Sequence, residues 1–333
     1  MNVQLLKYIT TLAILLALFV VTLGAYTRLT DAGLGCPDWP GCYGHMVLPK
    51  GQDALASAQG VFPETKLETH KAWTEMAHRY VAGSLGLLIL VIWGMSFILF
   101  RRARAIPIGI PSFLIGLVVF QAMLGMWTVT LKLLPIVVMG HLLGGMLIFA
   151  SLCYYRWQIS IKQPISLSGL RPWILLTTVV VFIQIALGGW VSSNYAGIAC
   201  YGFPTCNGIW WPTLYLKEAF NLLPIGDNYQ GGLLNIDARI TIQFVHRLGA
   251  IVTALMVFGV AGALYKKAKA TIVKSVALVA IASVILQIIL GIINVVYILP
   301  LWAAVAHNGV AAILFATMLS LVYLTKGDKV YVS

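Results

Sequence analysis

A chain of 333 residues that is 60% hydrophobic and only 10% charged is too apolar for a soluble protein, in which about a quarter of the residues are charged. The formal net charge of +12 does not indicate nucleic-acid binding, because the basic residues cluster in alternate loops between long apolar runs. The composition therefore indicates an integral membrane protein whose main surroundings are the lipid bilayer.

Eight apolar runs are long enough to cross a hydrocarbon core about 30 Å thick, which takes about 20 helical residues. The predicted membrane helices cover residues 5–27, 76–100, 107–131, 136–156, 172–192, 240–264, 273–296 and 301–324. The first run is N-terminal and has a lysine, Lys7, near its start, as in a signal peptide, but no small-residue cleavage site comes after it, so we expect it to remain as a helix. No run alternates as membrane strands do, and the predicted fold class is all-α.

Basic residues mark one side of the membrane. They lie near both ends of the chain and after the second, fourth and sixth runs: Lys7, Arg101, Arg102, Arg104, Arg156, Lys162, Arg171, Lys266, Lys267, Lys269, Lys274, Lys326 and Lys329. Nine of the ten acidic residues, all but Asp328, lie on the other side or at its edge. The positive-inside rule then predicts a cell (inner) membrane protein with cytoplasmic termini and two long outer loops, 28–74 and 193–239.

The two halves of the chain repeat one another. The loop segment from Cys36 to Cys42 returns 164 residues later between Cys200 and Cys206, and His78-Arg79 returns as His246-Arg247. We therefore predict two tandem four-helix bundles, residues 1–160 and 161–333. Four helices per half give both halves the same orientation, so a pseudo-two-fold axis along the membrane normal should relate them.

Each even-numbered run carries one histidine in its outer third, and small residues nearby leave room for a flat group. The histidines are His78, His141, His246 and His307, and the glycines are Gly83, Gly86, Gly144, Gly145, Gly249 and Gly309. A single such histidine is as readily a polar group bonded to a neighbouring helix. Two imidazoles facing each other across a bundle are typical axial ligands of haem iron, whereas zinc or copper would need a further protein ligand. We predict one haem iron per half.

Other polar residues stand beside these histidines. Arg79 and Arg247 are predicted to contact haem propionates, with snorkelling to the interface as the alternative. Glu75 lies three residues before His78 and shares its helical face, whereas Gln243 takes that place in the second half. An amide cannot exchange a proton near neutral pH, but a carboxyl group in apolar surroundings can. The catalytic residue is therefore predicted to be Glu75.

Each outer loop contains two cysteines, and the outer side is oxidising. Two disulfides, Cys36–Cys42 and Cys200–Cys206, are therefore predicted. They either staple irregular loops, or one pair cycles between dithiol and disulfide to handle electrons; both readings stay open. Cys153, alone in the fourth run, is predicted to be a small buried hydrophobic residue.

The segment 27–44, the Glu75-x-x-His78-Arg79 motif and its Gln243-x-x-His246-Arg247 echo, with His141 and His307, resemble haem A synthases. These are membrane enzymes of cytochrome oxidase assembly, and the resemblance covers the whole chain. It implies oxidation of a ring methyl of haem O to the formyl group of haem A through successive hydroxylations and loss of water.

The resemblance also implies which half does what. The C-terminal histidines, His246 and His307, would hold a haem b cofactor, and His78, His141 and Glu75 would form the substrate site. Glu75 would accept the methyl-derived proton or stabilise a developing cation. Implied partners are haem O synthase, an electron donor or acceptor and oxidase assembly factors, with a homo-oligomer left open.

Two other functions are compatible with parts of the sequence. A di-haem b membrane cytochrome that passes electrons between quinone and an outer partner would explain the four histidines equally well. It would not explain a carboxylate beside only one histidine pair. A transporter built from repeats is disfavoured because no predicted helix is visibly broken near the membrane midplane.

Overall fold

The computed structural model describes residues 2–103, 106–161, 164–167 and 169–327. Within these ranges the helices are α1 (Val3–Leu29), α2 (Gln52–Val61), α3 (Thr69–Ala103), α4 (Gly109–Thr130), α5 (Pro135–Gln158), α6 (Arg171–Ser193), α7 (Leu216–Ala219), α8 (Ile236–Lys267), α9 (Thr271–Val296) and α10 (Leu301–Leu324). Four charged residues used in the topology prediction, Arg104, Lys162, Asp328 and Lys329, lie outside the described residues.

Eight of these helices, all except α2 and α7, are long and apolar enough to cross a membrane. The prediction of an all-α protein with eight membrane-spanning helices is therefore confirmed for the described part of the chain. Helices α3 and α8 begin earlier than the predicted positions 76 and 240. The prediction located runs by hydropathy, but helices begin at capping residues: the Asn235 side chain accepts from the backbone N–H of Ala238 at 2.8 Å and starts α8.

The membrane helices pack in two similar arrangements. Helix α1 packs against α3 and α5, and α4 also packs against α3 and α5. In the same way α6 and α9 each pack against α8 and α10. Helix α10 also packs against α1, α5 and α6, and α5 packs against α6. Consequently α3 lies across from α5, and α8 lies across from α10.

Small residues permit these close contacts between helices. Ala13 and Ala17 of α1 are buried in the main apolar core. A Cβ atom on Gly309 of α10 would lie only 2.9 Å from Cγ2 of Thr22 on α1. Small side chains are the usual means by which membrane helices approach, because lipid gives no hydrophobic drive for their association.

The two cysteine loops have matching backbones. Sulfur atoms are 2.05 Å apart in Cys36–Cys42 and 2.08 Å apart in Cys200–Cys206, so both predicted pairs are bonded. Each second cysteine forms a short bridge three residues on, to His45 or to Ile209. The turn within each bridge has two residues with positive φ, and glycine is the second: Gly44 at 78° and Gly208 at 81°. That turn favours glycine because it has no Cβ atom.

Candidate functional site

His78 on α3 and His141 on α5 face each other across the first set of helices. Their ring centroids are 6.4 Å apart, and their planes differ by 73°. Metal–imidazole bonds are about 2 Å long, so this spacing admits one metal ion between the rings. The Nδ1 atoms of both rings are buried and have no hydrogen-bond partner among the described residues. The spacing of the two rings fits a single haem iron held between them.

The second pair, His246 on α8 and His307 on α10, occupies the equivalent helices. His307 Nδ1 is likewise buried without a described partner, whereas His246 Nδ1 lies 3.0 Å from Nε2 of Gln184. All four histidine side chains are half-buried. No cluster of three His, Cys, Asp or Glu side chains that could hold a metal ion occurs in the described ranges. Each pair therefore fits the two axial positions of a haem better than a zinc or copper site.

Each of the four rings, those of His78, His141, His246 and His307, lies against a glycine on a neighbouring helix. A Cβ atom built on Gly24 would lie 3.0 Å from Cε1 of His78, and one built on Gly125 would lie 3.3 Å from Cε1 of His141. The corresponding distances are 3.2 Å from Gly188 to His246 and 3.5 Å from Gly291 to His307. Most of these distances are tighter than ordinary contact, so an added methyl group would push the ring. Glycine at these positions keeps the imidazoles in place. These residues were not among the predicted site residues.

Glutamines stand four residues before three of these glycines. In each case the glutamine Nε2 donates to the main-chain oxygen of a histidine. The distance is 2.5 Å from Gln121 to His141, 2.9 Å from Gln184 to His246 and 2.6 Å from Gln287 to His307. On α1 the corresponding residue, four before Gly24, is Val20, which has no side-chain donor. The spacing Gln-x-x-x-Gly was the signal in the sequence, but its histidine partners become visible only in three dimensions.

Glu75 is bonded to both its own helix and the first cysteine loop. The side chain is 5% exposed. Its Oε1 accepts from Nη2 of Arg79 at 2.5 Å, and its Oε2 accepts from the backbone N–H of Cys36 at 2.8 Å. Nη1 of Arg79 donates in turn to the carbonyl oxygens of Asp38 at 3.1 Å and of Gly41. A buried ion pair thus joins the histidine-bearing helix to the disulfide loop.

The equivalent position in the second half is neutral. Nε2 of Gln243 donates to the Gly197 carbonyl at 3.3 Å, and its Oε1 is buried without a described partner. Arg247 donates to the carbonyl oxygens of Cys200 and, at 3.1 Å, of Thr205. Arg79 and Arg247 therefore each donate hydrogen bonds to the carbonyl oxygens of a cysteine loop in this structure. Their contact with haem propionates remains a prediction.

Three carboxylates act on Tyr43 in the first loop. Asp38 Oδ1 accepts from the Tyr43 backbone N–H at 2.6 Å, and its Oδ2 accepts from that of Gly44 at 3.0 Å. Burial raises the pKa of the Tyr43 phenol, and the carboxylates Glu68, Asp38 and Glu75 raise it further. The phenol therefore stays neutral, and the first loop differs electrostatically from the second.

The fold and site together define a class: a multi-pass helical membrane protein with two repeated histidine pairs, only one of which has a buried carboxylate beside it. The family model described as cytochrome oxidase assembly protein, COX15-CtaA, matches residues 7–319. The chain belongs to this family.

Individual relatives are similar over nearly the same length. A haem A synthase of Shewanella oneidensis is 45% identical over 323 residues, which cover 96% of either chain. The haem A synthase of Beijerinckia indica is 31% identical, covering 90% of this chain and 87% of the relative. One from Wolbachia pipientis is 30% identical, with coverages of 91% and 92%. The resemblance to haem A synthases noted in the sequence is confirmed.

Proposed function

We propose that this chain is a haem A synthase, an oxidoreductase that converts haem O into haem A. The observation that carries the proposal is the buried carboxylate of Glu75 beside one histidine pair, where the duplicated site has the amide of Gln243. Family membership and the 45% identical relative support the same activity. A di-haem electron carrier would have no use for this difference between its halves.

The two halves divide the work in this proposal. Residues 1–160 and 161–333 each form a four-helix bundle, which is supported by the repeated packing of α1, α3, α4 and α5 and of α6, α8, α9 and α10. His78 and His141 hold the substrate haem in the first bundle. His246 and His307 hold a resident haem b in the second, where the neutral site suits electron transfer without proton chemistry.

The chain's own groups prepare the first site for oxidation. When bound, haem O supplies the methyl carbon, and haem b supplies a redox-active iron. Glu75 provides a carboxylate that takes up a proton or stabilises positive charge at the reacting carbon. Arg79 fixes its Oε1, and the Cys36 backbone N–H fixes its Oε2. The disulfide loop lies against the carboxylate through the Cys36 N–H, and the Glu75 side chain is only 5% exposed, so little bulk water reaches it.

Expression in a bacterial host that makes haem O but not haem A tests the activity. We expect membranes containing the protein to yield haem A, together with a partly oxidised alcohol form, when extracted haems are separated by chromatography. The same host without the protein should yield haem O and haem b alone. If haem O persists unchanged while the protein accumulates in the membrane, the proposed activity is wrong.

We also propose that the termini are cytoplasmic and the cysteine loops outside, in the cell (inner) membrane, because Lys266, Lys267, Lys269 and Lys274 lie at the opposite ends of the helices from the loops. Met46 and Lys267 are exposed, which makes them suitable reporters. A membrane-impermeant maleimide should label Met46→Cys in spheroplasts, and Lys267→Cys only after lysis. Labelling in the reverse order would overturn the orientation.

A further inference from the structure

The four histidine positions share a glycine against the ring, and they differ in their glutamine contacts. Three of them have a neighbouring glutamine that donates to the histidine's main-chain oxygen, whereas His78 faces α1, where Val20 occupies the glutamine position. Val20 is half-buried and packs against the main core, as does Val21, so it faces the protein interior rather than lipid alone. The exception is therefore a change on an interior face of α1, one turn before the glycine that lies against the His78 ring.

We propose that Gln121, Gln184 and Gln287 are positioning residues that fix three axial histidines. Because Val20 cannot donate such a hydrogen bond, His78 is the ligand that dissociates from the iron when haem enters and leaves the site. This inference rests on the proposed function. A retained cofactor needs two fixed ligands, and both histidines of the second half have their glutamine. A substrate haem that must be exchanged needs one axial ligand that can dissociate from its iron. The missing glutamine lies in the half assigned to the substrate on the independent ground of Glu75.

The glutamine contact restrains the histidine by joining two helices. Each main-chain oxygen of a helical histidine can accept a second hydrogen bond in addition to that of its own helix. The amide of Gln184, for example, reaches from α6 to the oxygen of His246 on α8 while Gly188, one turn on, contacts the ring. Backbone and ring are then both held by α6. At His78 only the ring contact with Gly24 remains.

The α9–α10 pair is the counterpart that most resembles the surroundings of Val20. Gln121 and Gln184 each lie against a glycine three residues after the histidine, Gly144 or Gly249. Gln287 instead faces a helix with Val310 in that place, and it still bonds to His307 at 2.6 Å. The residue three after His78 is Val81. The α9–α10 pair is therefore a template for Val20→Gln.

Haem exchange in the full-length protein tests the inference. The purified protein is mixed with apomyoglobin, and the haems that remain bound are identified by chromatography over time, so that haem O and haem A report the first half and haem b the second. We expect Val20→Gln to slow the loss of haem O and haem A about 2- to 10-fold relative to Val20→Met, the factor that one net hydrogen bond supports. Methionine matches glutamine in length but cannot donate.

The reverse change provides a second test if Val20→Gln does not fold. Gln287→Met removes only the bond to the His307 main-chain oxygen, and it should hasten loss of haem b by a similar factor without changing loss of haem O. Carbon monoxide binding gives a readout that a purely structural effect would not move: it requires a free axial position, so Val20→Gln should bind it more slowly at the reduced haem of the first half. Equal exchange by Val20→Gln and Val20→Met, or unaltered haem b loss in Gln287→Met, would overturn the inference.

These experiments distinguish a failure of the inference about His78 from a failure of the proposed haem A synthase function. If the unmodified protein contains haem b alone and forms no haem A, the proposed function fails, whatever Val20 does. If it forms haem A but Val20→Gln and Val20→Met release their haems equally, only the assignment of His78 as the yielding ligand is wrong.

Discussion

Glu75→Gln is expected to lower haem A formation below about a hundredth of the wild-type rate, because general acid–base catalysis alone contributes about 10²–10⁴-fold. The substitution keeps the size of the side chain but removes its charge and its exchangeable proton. Haem O or the partly oxidised alcohol should accumulate on the enzyme. Turnover and bound haem, measured on the same purified sample, check this expectation.

The contacts of Glu75 define what else this variant changes. Its two oxygens accept from Arg79 and from the Cys36 backbone, whereas an amide has one accepting oxygen. One donor therefore loses its acceptor, at a cost of about 1–3 kcal/mol of folding free energy. The loop should stay closed, because Arg79 keeps its bonds to the Asp38 and Gly41 carbonyls. Hydrogen exchange over residues 36–44 reports whether it does.

Gln243→Glu is the reciprocal control. It should not create a second active site, because we propose that the haem of the second half is a retained cofactor and not an exchanged substrate. If Glu75→Gln formed haem A at nearly the wild-type rate with a closed loop and normal haem content, chemistry would not belong to this carboxylate. The di-haem electron carrier would then be the better account.

His307→Ala is expected to remove the resident haem from the second half and leave haem in the first. Each half has its own histidine pair on its own opposed helices, so loss of one proposed axial ligand should weaken haem binding in that half alone. The matched variant His141→Ala should do the reverse. Absorption spectra and haem stoichiometry measure the loss. Equal loss from both halves in either variant would refute independent sites.

The parts of the account that the sequence predicted are those that depend on one helix or one loop at a time. Eight spans followed from apolar length, and both disulfides followed from two cysteines within each loop. The helical face shared by Glu75 and His78 followed from a spacing of three residues. These features need no knowledge of how the helices meet.

Contacts between helices could not be predicted in this way. The glycines that hold the histidine rings lie on different helices from those rings, and their pairing depends on the rotation and depth of each helix. Arg79 illustrates the same limit, because its four-residue spacing from Glu75 was visible but its bonds to loop carbonyls required the folded loop. Val20 was inconspicuous as one valine among many until the other three helices showed a glutamine there.

Identification of the haems bound to each half tests the central claim most directly. Haems extracted from the purified wild-type protein, from His141→Ala and from His307→Ala are separated by chromatography and quantified per chain. We expect haem b together with haem O or haem A in the wild-type protein, haem b alone in His141→Ala, and haem O or haem A without haem b in His307→Ala. Haem b in both halves of the wild-type protein, with neither haem O nor haem A, would contradict it.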